Sequence, residues 1–237
     1  MIMRNKLRIT LLITLSLVLL SSCIINIEYD PDPSGPETDK FTYTSVFKGP
    51  VKDKDGKITS YQFMCYVNNR TGSTLENVRF EIDWEDELGN LIDYDYVTIP
   101  RLERGAKWPV GVIHSSTSDI TRLKNSRASI RYLSSSSDLS RYSVRMVVFD
   151  KEVYHYTDAP SEVSGYVKNN NTFDILDPKV YVVSETSSGI IAEYGMTEGS
   201  GILTPNLNYY HFDMILNSPA KTPAKGRTYY YVVGTRR

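Results

Sequence analysis

The clearest evidence for the fold class is the segment Asn77-Val78-Arg79-Phe80-Glu81-Ile82-Asp83-Trp84. Its four large apolar side chains alternate strictly with four polar or charged ones. This period of two is typical of a β-strand with one buried and one solvated face. Turn residues follow at Asp86-Glu87-Leu88-Gly89-Asn90, and further extended patterns resume after them. Short strands separated by turn signals every 8–12 residues or so predict an all-β fold, an antiparallel sandwich or barrel.

The strand pattern occurs twice along the chain, with an offset of 100 residues. Tyr66-Val67-Asn68-Asn69 aligns with Tyr166-Val167-Lys168-Asn169. Between the copies lies a serine-rich stretch, residues 134–140, whose composition is typical of a flexible linker. We therefore predict two tandem β-sandwich domains, residues 41–133 and 141–237, joined by this linker.

The first 22 residues have the layout of a secretory signal peptide. Three positive charges, Arg4, Lys6 and Arg8, precede an apolar run at residues 9–20. That run is shorter than the stretch of about 20 apolar residues that a membrane-spanning helix needs. The sequence therefore predicts a cleaved signal at residues 1–22 and no transmembrane span.

The signal ends in Leu20-Ser21-Ser22-Cys23, which resembles the lipobox of bacterial lipoproteins. In that family the cysteine becomes the first mature residue and carries lipid. The resemblance implies a protein of the bacterial cell envelope, attached to a membrane through lipid on Cys23. Ile24 stands where some lipoproteins carry an acidic residue that resembles an inner-membrane retention signal. We therefore predict outer-membrane delivery if the source has an outer membrane.

Residues 23–40 are expected to form the lipidated end and a tether. Three prolines and a glycine lie among acidic residues at 30–37, a composition that favours an extended spacer over a packed core.

Several segments of the first half carry a family resemblance. They are Tyr66-Val67-Asn68-Asn69-Arg70-Thr71-Gly72, Leu75-Glu76-Asn77-Val78-Arg79-Phe80, Asp86-Glu87-Leu88-Gly89-Asn90 and Leu102-Glu103-Arg104-Gly105. This pattern resembles the FxLYD family of immunoglobulin-like domains, found in secreted and lipid-anchored bacterial proteins. The second half repeats the pattern but departs from it at the acidic turn and at Asn206, which replaces the corner glycine. The resemblance implies two immunoglobulin-like sandwiches and brings no catalytic residues.

Composition and motifs argue against catalysis, metal binding and nucleic-acid binding. The formal net charge is -1, so the chain has no basic field to attract nucleic acid. Two cysteines and three histidines exclude a multi-cysteine zinc site. No His-Glu-x-x-His, Gly-x-Ser-x-Gly or phosphate-loop motif is present. We therefore predict no cofactor, no bound metal and no enzymatic activity.

Three local clusters could carry chemistry, and each has a simpler interpretation. Tyr154-His155-Tyr156 alternates between strand faces, so the histidine is interpreted as a surface residue. Residues 53–58 resemble half of a calcium loop, but Val51 and Gln62 stand where oxygen ligands are needed. An Asp-Gly pair between strands favours a hairpin there. The carboxylates of residues 83–87 surround a predicted turn, where charges are usually solvated.

Tyrosines on the predicted strands of the second half form a candidate interaction surface, Tyr181, Tyr229 and Tyr231. Val180 and Val182 fill one face of their strand, yet the other face is also apolar. Apolar residues on both faces predict that the outer side of this sheet is covered. Three possibilities remain for what covers this face: the first domain, a second protein chain, or a ligand such as a glycan stacking on tyrosine.

The leading hypothesis is a non-enzymatic, lipid-anchored envelope protein that binds a protein or glycan partner. One alternative is a structural accessory subunit of an envelope lipoprotein complex. Another is a hydrolase with an unrecognised site at the cleft between the domains. A deep cleft with converging carboxylate and histidine groups would favour the hydrolase, and a flat tyrosine patch would favour binding.

Overall fold

The computed structural model describes residues 40–52, 55–115, 120–124, 126–156, 159–217 and 226–237. The predicted signal peptide, Cys23 and the tether up to residue 39 lie outside the described residues. In chain order the strands are β1 (Phe41–Lys52), β2 (Ile58–Asn69), β3 (Leu75–Glu85), β4 (Leu91–Leu102), β5 (Lys107–His114), β6 (Arg127–Ser136), β7 (Tyr142–Ser143), β8 (Met146–Tyr154), β9 (Glu162–Asn169), β10 (Ile175–Glu185), β11 (Ile191–Glu198), β12 (Ile202–Leu203), β13 (Tyr209–Ile215) and β14 (Thr228–Arg236). A four-residue helix, α1 (Ile120–Leu123), precedes β6. Within these ranges no helix has the length and apolarity to cross a bilayer.

The predicted all-β fold is confirmed, and the strand pairs are antiparallel. The sheets of the first half have the orders β1-β2-β5 and β4-β3-β6. Those of the second half have the orders β8-β9-β13 and β11-β10-β14-β7, with β12 beside β10. Phe41 of one first-half sheet packs edge-on against Phe80 of the other, with ring centroids 5.3 Å apart. Phe212 and Tyr230 form the corresponding contact between the two second-half sheets, with tilted rings whose centroids are 6.2 Å apart. Each half is therefore a sandwich of two sheets.

The central strand β3 shows why the alternating stretch determines the fold. Val78, Phe80, Ile82 and Trp84 are all fully buried on its inner face. The indole N–H of Trp84 donates to Asp95 Oδ2 at 2.7 Å, which satisfies its polar atom inside the sandwich. Four large side chains on one strand thus form much of the first core.

The pairing order of the first half recurs 100 residues later, with β8, β9 and β13 standing where β1, β2 and β5 stand. The asparagine that ends each central strand makes the same contacts in both halves. Asn69 Nδ2 donates to the carbonyl oxygens of Ser73 and Leu102. Asn169 Nδ2 donates to those of Phe173 and Leu203. These bonds fix the turn after the strand to the distant corner, so asparagine is needed there for more than its turn preference.

The two halves contact each other through sheet faces that point away from their own cores. One hydrophobic cluster contains buried residues of both halves, including Trp108 and Tyr181, whose ring centroids are 5.3 Å apart. Strand β6 extends to Ser136, three residues into the predicted serine-rich linker. The division into domains at 41–133 and 141–237 stays a prediction, which separate expression of the two halves would test.

Candidate functional site

The structure places the three predicted interaction residues at the contact between the halves. Tyr181 is only 8% exposed, and Tyr229 and Tyr231 are half-buried. Trp108 lies 5.4 Å from the ring of Tyr231. Burial raises the pKa of both Tyr181 and Tyr231 to about 12, so both phenols stay neutral. Of the three covers considered for this face, the first half is the one that the structure shows.

Around these tyrosines, the junction combines a polar contact with close packing. The phenol of Tyr66 on β2 donates to Glu185 Oε1 on β10 at 2.8 Å. Burial, together with this hydrogen bond, raises the pKa of Tyr66 above its usual range. Lys107 Nζ lies 4.1 Å from the ring centroid of Tyr66 and 3.8 Å from the Glu185 carboxylate. The buried Glu185 carboxylate therefore has a hydrogen-bond donor, Tyr66, and a nearby positive charge, Lys107, which together offset the cost of its burial.

A second aromatic surface, on the sheet β8-β9-β13, is open to solvent. Phe149 stacks on Tyr166 with ring centroids 5.6 Å apart and meets Tyr209 edge-on at 5.1 Å. His211 lies 4.9 Å from Tyr166 on the other side. Tyr166 is 39% exposed and Tyr209 54% exposed. We call the surface formed by Phe149, Tyr166, Tyr209 and His211 the aromatic face.

Strand register explains why three of these side chains meet. Phe149 on β8 and His211 on β13 are both direct partners of Tyr166 on the central strand β9. Opposite residues of an antiparallel pair point to the same side of the sheet, so the three rings form one row. The intervening residues, including Val167 and Phe212, are buried on the inner side. The sandwich core thus orients the aromatic face outward.

Polar groups border the aromatic face toward the far end of the sheet. The phenol of Tyr154 donates to Glu152 Oε2 at 3.2 Å, and that of Tyr156 donates to Glu162 Oε2 at 3.1 Å. The negative charge of Glu152 raises the pKa of Tyr154. The hydrogen bond to Glu162 raises the pKa of Tyr156. The rim therefore offers carboxylate acceptors beside protonated phenols, while the centre offers aromatic carbon.

The equivalent surface of the first half is covered. Tyr66 occupies on β2 the position that Tyr166 occupies on β9, and Tyr66 is 1% exposed because the second half packs over it. The sequence contained the signal, since the two tyrosines align in the repeat. Its functional meaning was missed because only the structure shows which of the two faces is covered.

The remaining candidate clusters do not converge on a reaction centre. His155 is exposed, and its Nδ1 lies 2.8 Å from the hydroxyl of the buried Ser161. Cys65 is fully buried in β2, and burial raises the pKa of its thiol, which keeps it unreactive. Asp86 accepts hydrogen bonds within its own turn, from Leu88 and Asn90. In the described ranges, no group of three histidine, cysteine or acidic side chains is arranged to hold a metal ion.

Comparisons with known proteins leave the family open. No family model and no curated protein matches the chain. The resemblances to lipoproteins and to the FxLYD family therefore stay predictions. A search of solved structures finds the C-terminal globular domain of an oligosaccharyltransferase from Pyrococcus abyssi, at 9% identity and a TM-score of 0.22. The match covers 81% of this chain and 47% of that one. Structural similarity this weak supports no inference about function.

Proposed function

We propose that this chain is a non-enzymatic, lipid-anchored protein of the bacterial cell envelope that binds another protein through its aromatic face. The proposal rests on the difference in solvent exposure between two equivalent surfaces, one in each half. The face around Tyr66 is buried under a β-sheet of the second half, whereas the face around Tyr166 is open.

The junction between the halves indicates what kind of partner fits. There, a tyrosine hydroxyl meets a carboxylate, and aromatic rings pack on a flat sheet. The aromatic face presents the same elements, with Tyr166 at its centre and exposed rings around it. Tyrosine and phenylalanine contribute large contact areas at little cost in side-chain entropy, and aromatic residues are enriched in protein interfaces. A partner sheet with a carboxylate opposite Tyr166 would reproduce the contact that Tyr66 makes with Glu185.

Substitution of two rings on the aromatic face tests the proposal. We expect Phe149→Ser together with Tyr166→Ser to reduce the yield of a cross-linked partner about tenfold or more, because buried aromatic anchors dominate binding energy. The measurement is quantitative recovery of the tagged full chain and its cross-linked partners from its own membranes.

The matched control is Tyr94→Ser together with Tyr96→Ser on the outward side of β4. These rings are 48% and 46% exposed and 5.3 Å apart, so the control removes a similar aromatic pair elsewhere. Equal recovery from the two double variants would contradict a role for the aromatic face.

Lipid attachment is tested at Cys23. We expect Cys23→Ser to move the protein from the membrane fraction to the soluble fraction, since stable anchoring requires the acyl chains. Fractionation followed by immunoblotting measures the change. Retention of the variant in the membrane fraction would refute anchoring through this sulfur.

A further inference from the structure

Strand β14 has an unpaired edge in the part of the chain that the structure describes. One side of β14 pairs with β10 from Thr228 to Arg236. The other side pairs with β7 only at Gly234 and Thr235. Between Thr228 and Val233, the side away from β10 has no described strand beside it.

Hydrogen bonds at the two ends of β14 show which residues direct their backbone groups to this edge. Arg227 accepts from Glu185 N on β10 at 3.0 Å. The amide of Arg236 donates toward the other side, to Arg141 O at 2.8 Å. Successive residues of an antiparallel strand alternate in this direction. The amide and carbonyl groups of Thr228, Tyr230 and Val232 therefore point to the unpaired side.

A groove lies along this edge. It is shallow and open to solvent, with a volume of about 480 Å³. Its lining is mixed: aromatic and aliphatic side chains from both halves, including Trp108, Met146 and Tyr231, lie beside the polar groups of Thr228 and Lys151. At the rim, the exposed Lys151 places its Nζ 5.2 Å from the ring centroid of Tyr230.

We propose that this groove binds an extended peptide segment of a partner protein, which adds to β14 as a strand in line with β7. The backbone groups on this edge, which no described strand pairs between Thr228 and Val233, supply directional hydrogen bonds that side-chain grooves alone do not offer. The aromatic and aliphatic side chains of the groove favour β-branched or aromatic residues of the peptide, and Lys151 favours a carboxylate beside them. This site is separate from the aromatic face and does not depend on the function proposed above.

Amide hydrogen exchange of the full chain in detergent tests the free edge directly. In the free protein, the amides of Thr228, Tyr230 and Val232 should exchange fast, while those of Tyr229, Tyr231 and Val233 should be protected by β10. Protection of the first three in the isolated monomer would show that the chain covers its own edge. Protection that rises with protein concentration would show that a second copy covers it. Either result overturns the proposal.

A synthetic eight-residue peptide of alternating valine and threonine, with one central glutamate, serves as the probe. Adding it in excess should slow exchange of the three outward amides about tenfold or more. N-methylation of alternate peptide nitrogens should abolish that protection, because a methylated nitrogen cannot donate to the strand. No protection at saturating peptide, or equal binding of the methylated peptide, would overturn strand addition.

Lys151→Glu gives a second test at an exposed position outside both cores. The variant should bind the glutamate peptide about tenfold more weakly by fluorescence anisotropy. A peptide with lysine in place of glutamate should recover that loss. Unchanged affinity for both peptides would contradict the position proposed for the carboxylate.

Discussion

Replacement of Glu76 by leucine is expected to lower the free energy of unfolding by about 3 kcal/mol or more. Glu76 on β3 is fully buried. Its carboxylate accepts from Arg101 Nη1 at 3.0 Å and from the backbone amides of Arg141 and Tyr142 at 3.2 and 3.1 Å. Leucine has a similar volume but accepts no hydrogen bond, so the guanidinium and both amides lose their acceptor. Urea denaturation of the full chain measures the loss.

Glu103 provides the matched control, because it binds the same arginine from the surface. Its Oε1 accepts from Arg101 Nε at 2.7 Å, yet its side chain is 43% exposed. Exposed ion pairs contribute little, so Glu103→Leu should cost below about 1 kcal/mol. Equal losses from the two variants would show that Glu76 does not hold the chain after β6 against the first half.

Gly111→Ala is expected to destabilise the protein by about 2–3 kcal/mol, a large effect for one methyl group. A Cβ at this position would overlap Cδ1 of Tyr194, which belongs to β11 in the other half. Tyr194 is 7% exposed, so its ring has little room to move away. The packing of the two halves therefore requires glycine at this point of β5.

A double-mutant cycle separates this contact from other effects of the substitution. In a Tyr194→Ala background, Gly111→Ala should lower the free energy of unfolding by less than about 1 kcal/mol, because the aromatic ring that the new Cβ would overlap is absent. Urea midpoints of the four proteins provide the cycle. The same cost in both backgrounds would mean that the halves do not pack through Gly111 and Tyr194.

The sequence predicted the strands well because local patterns determine them. Alternation over 77–84 identified β3 and its buried face. Apolar residues on both faces correctly indicated that the outer side of β10 is covered. Each of these predictions depends only on neighbours along the chain.

The covering element and the open surface could not be predicted in the same way. Tyr181 and Tyr166 both look like outward tyrosines on a strand, yet the first is covered by the other half and the second is exposed. Phe149 and Tyr209 come from strands far apart in sequence, and only their register with β9 brings them together. The aromatic face is therefore a property of strand pairing and domain contact, which local periodicity does not encode.

Site-specific photocross-linking at position 166 shows whether a protein partner contacts the aromatic face. A photoreactive amino acid replaces Tyr166 in the full chain, and the same amino acid at position 94 is the control. After irradiation of intact cells, we expect a protein adduct of defined mass from position 166 and no such adduct from position 94. Adducts that contain carbohydrate in place of protein, or the same adducts from both positions, would contradict the proposed function.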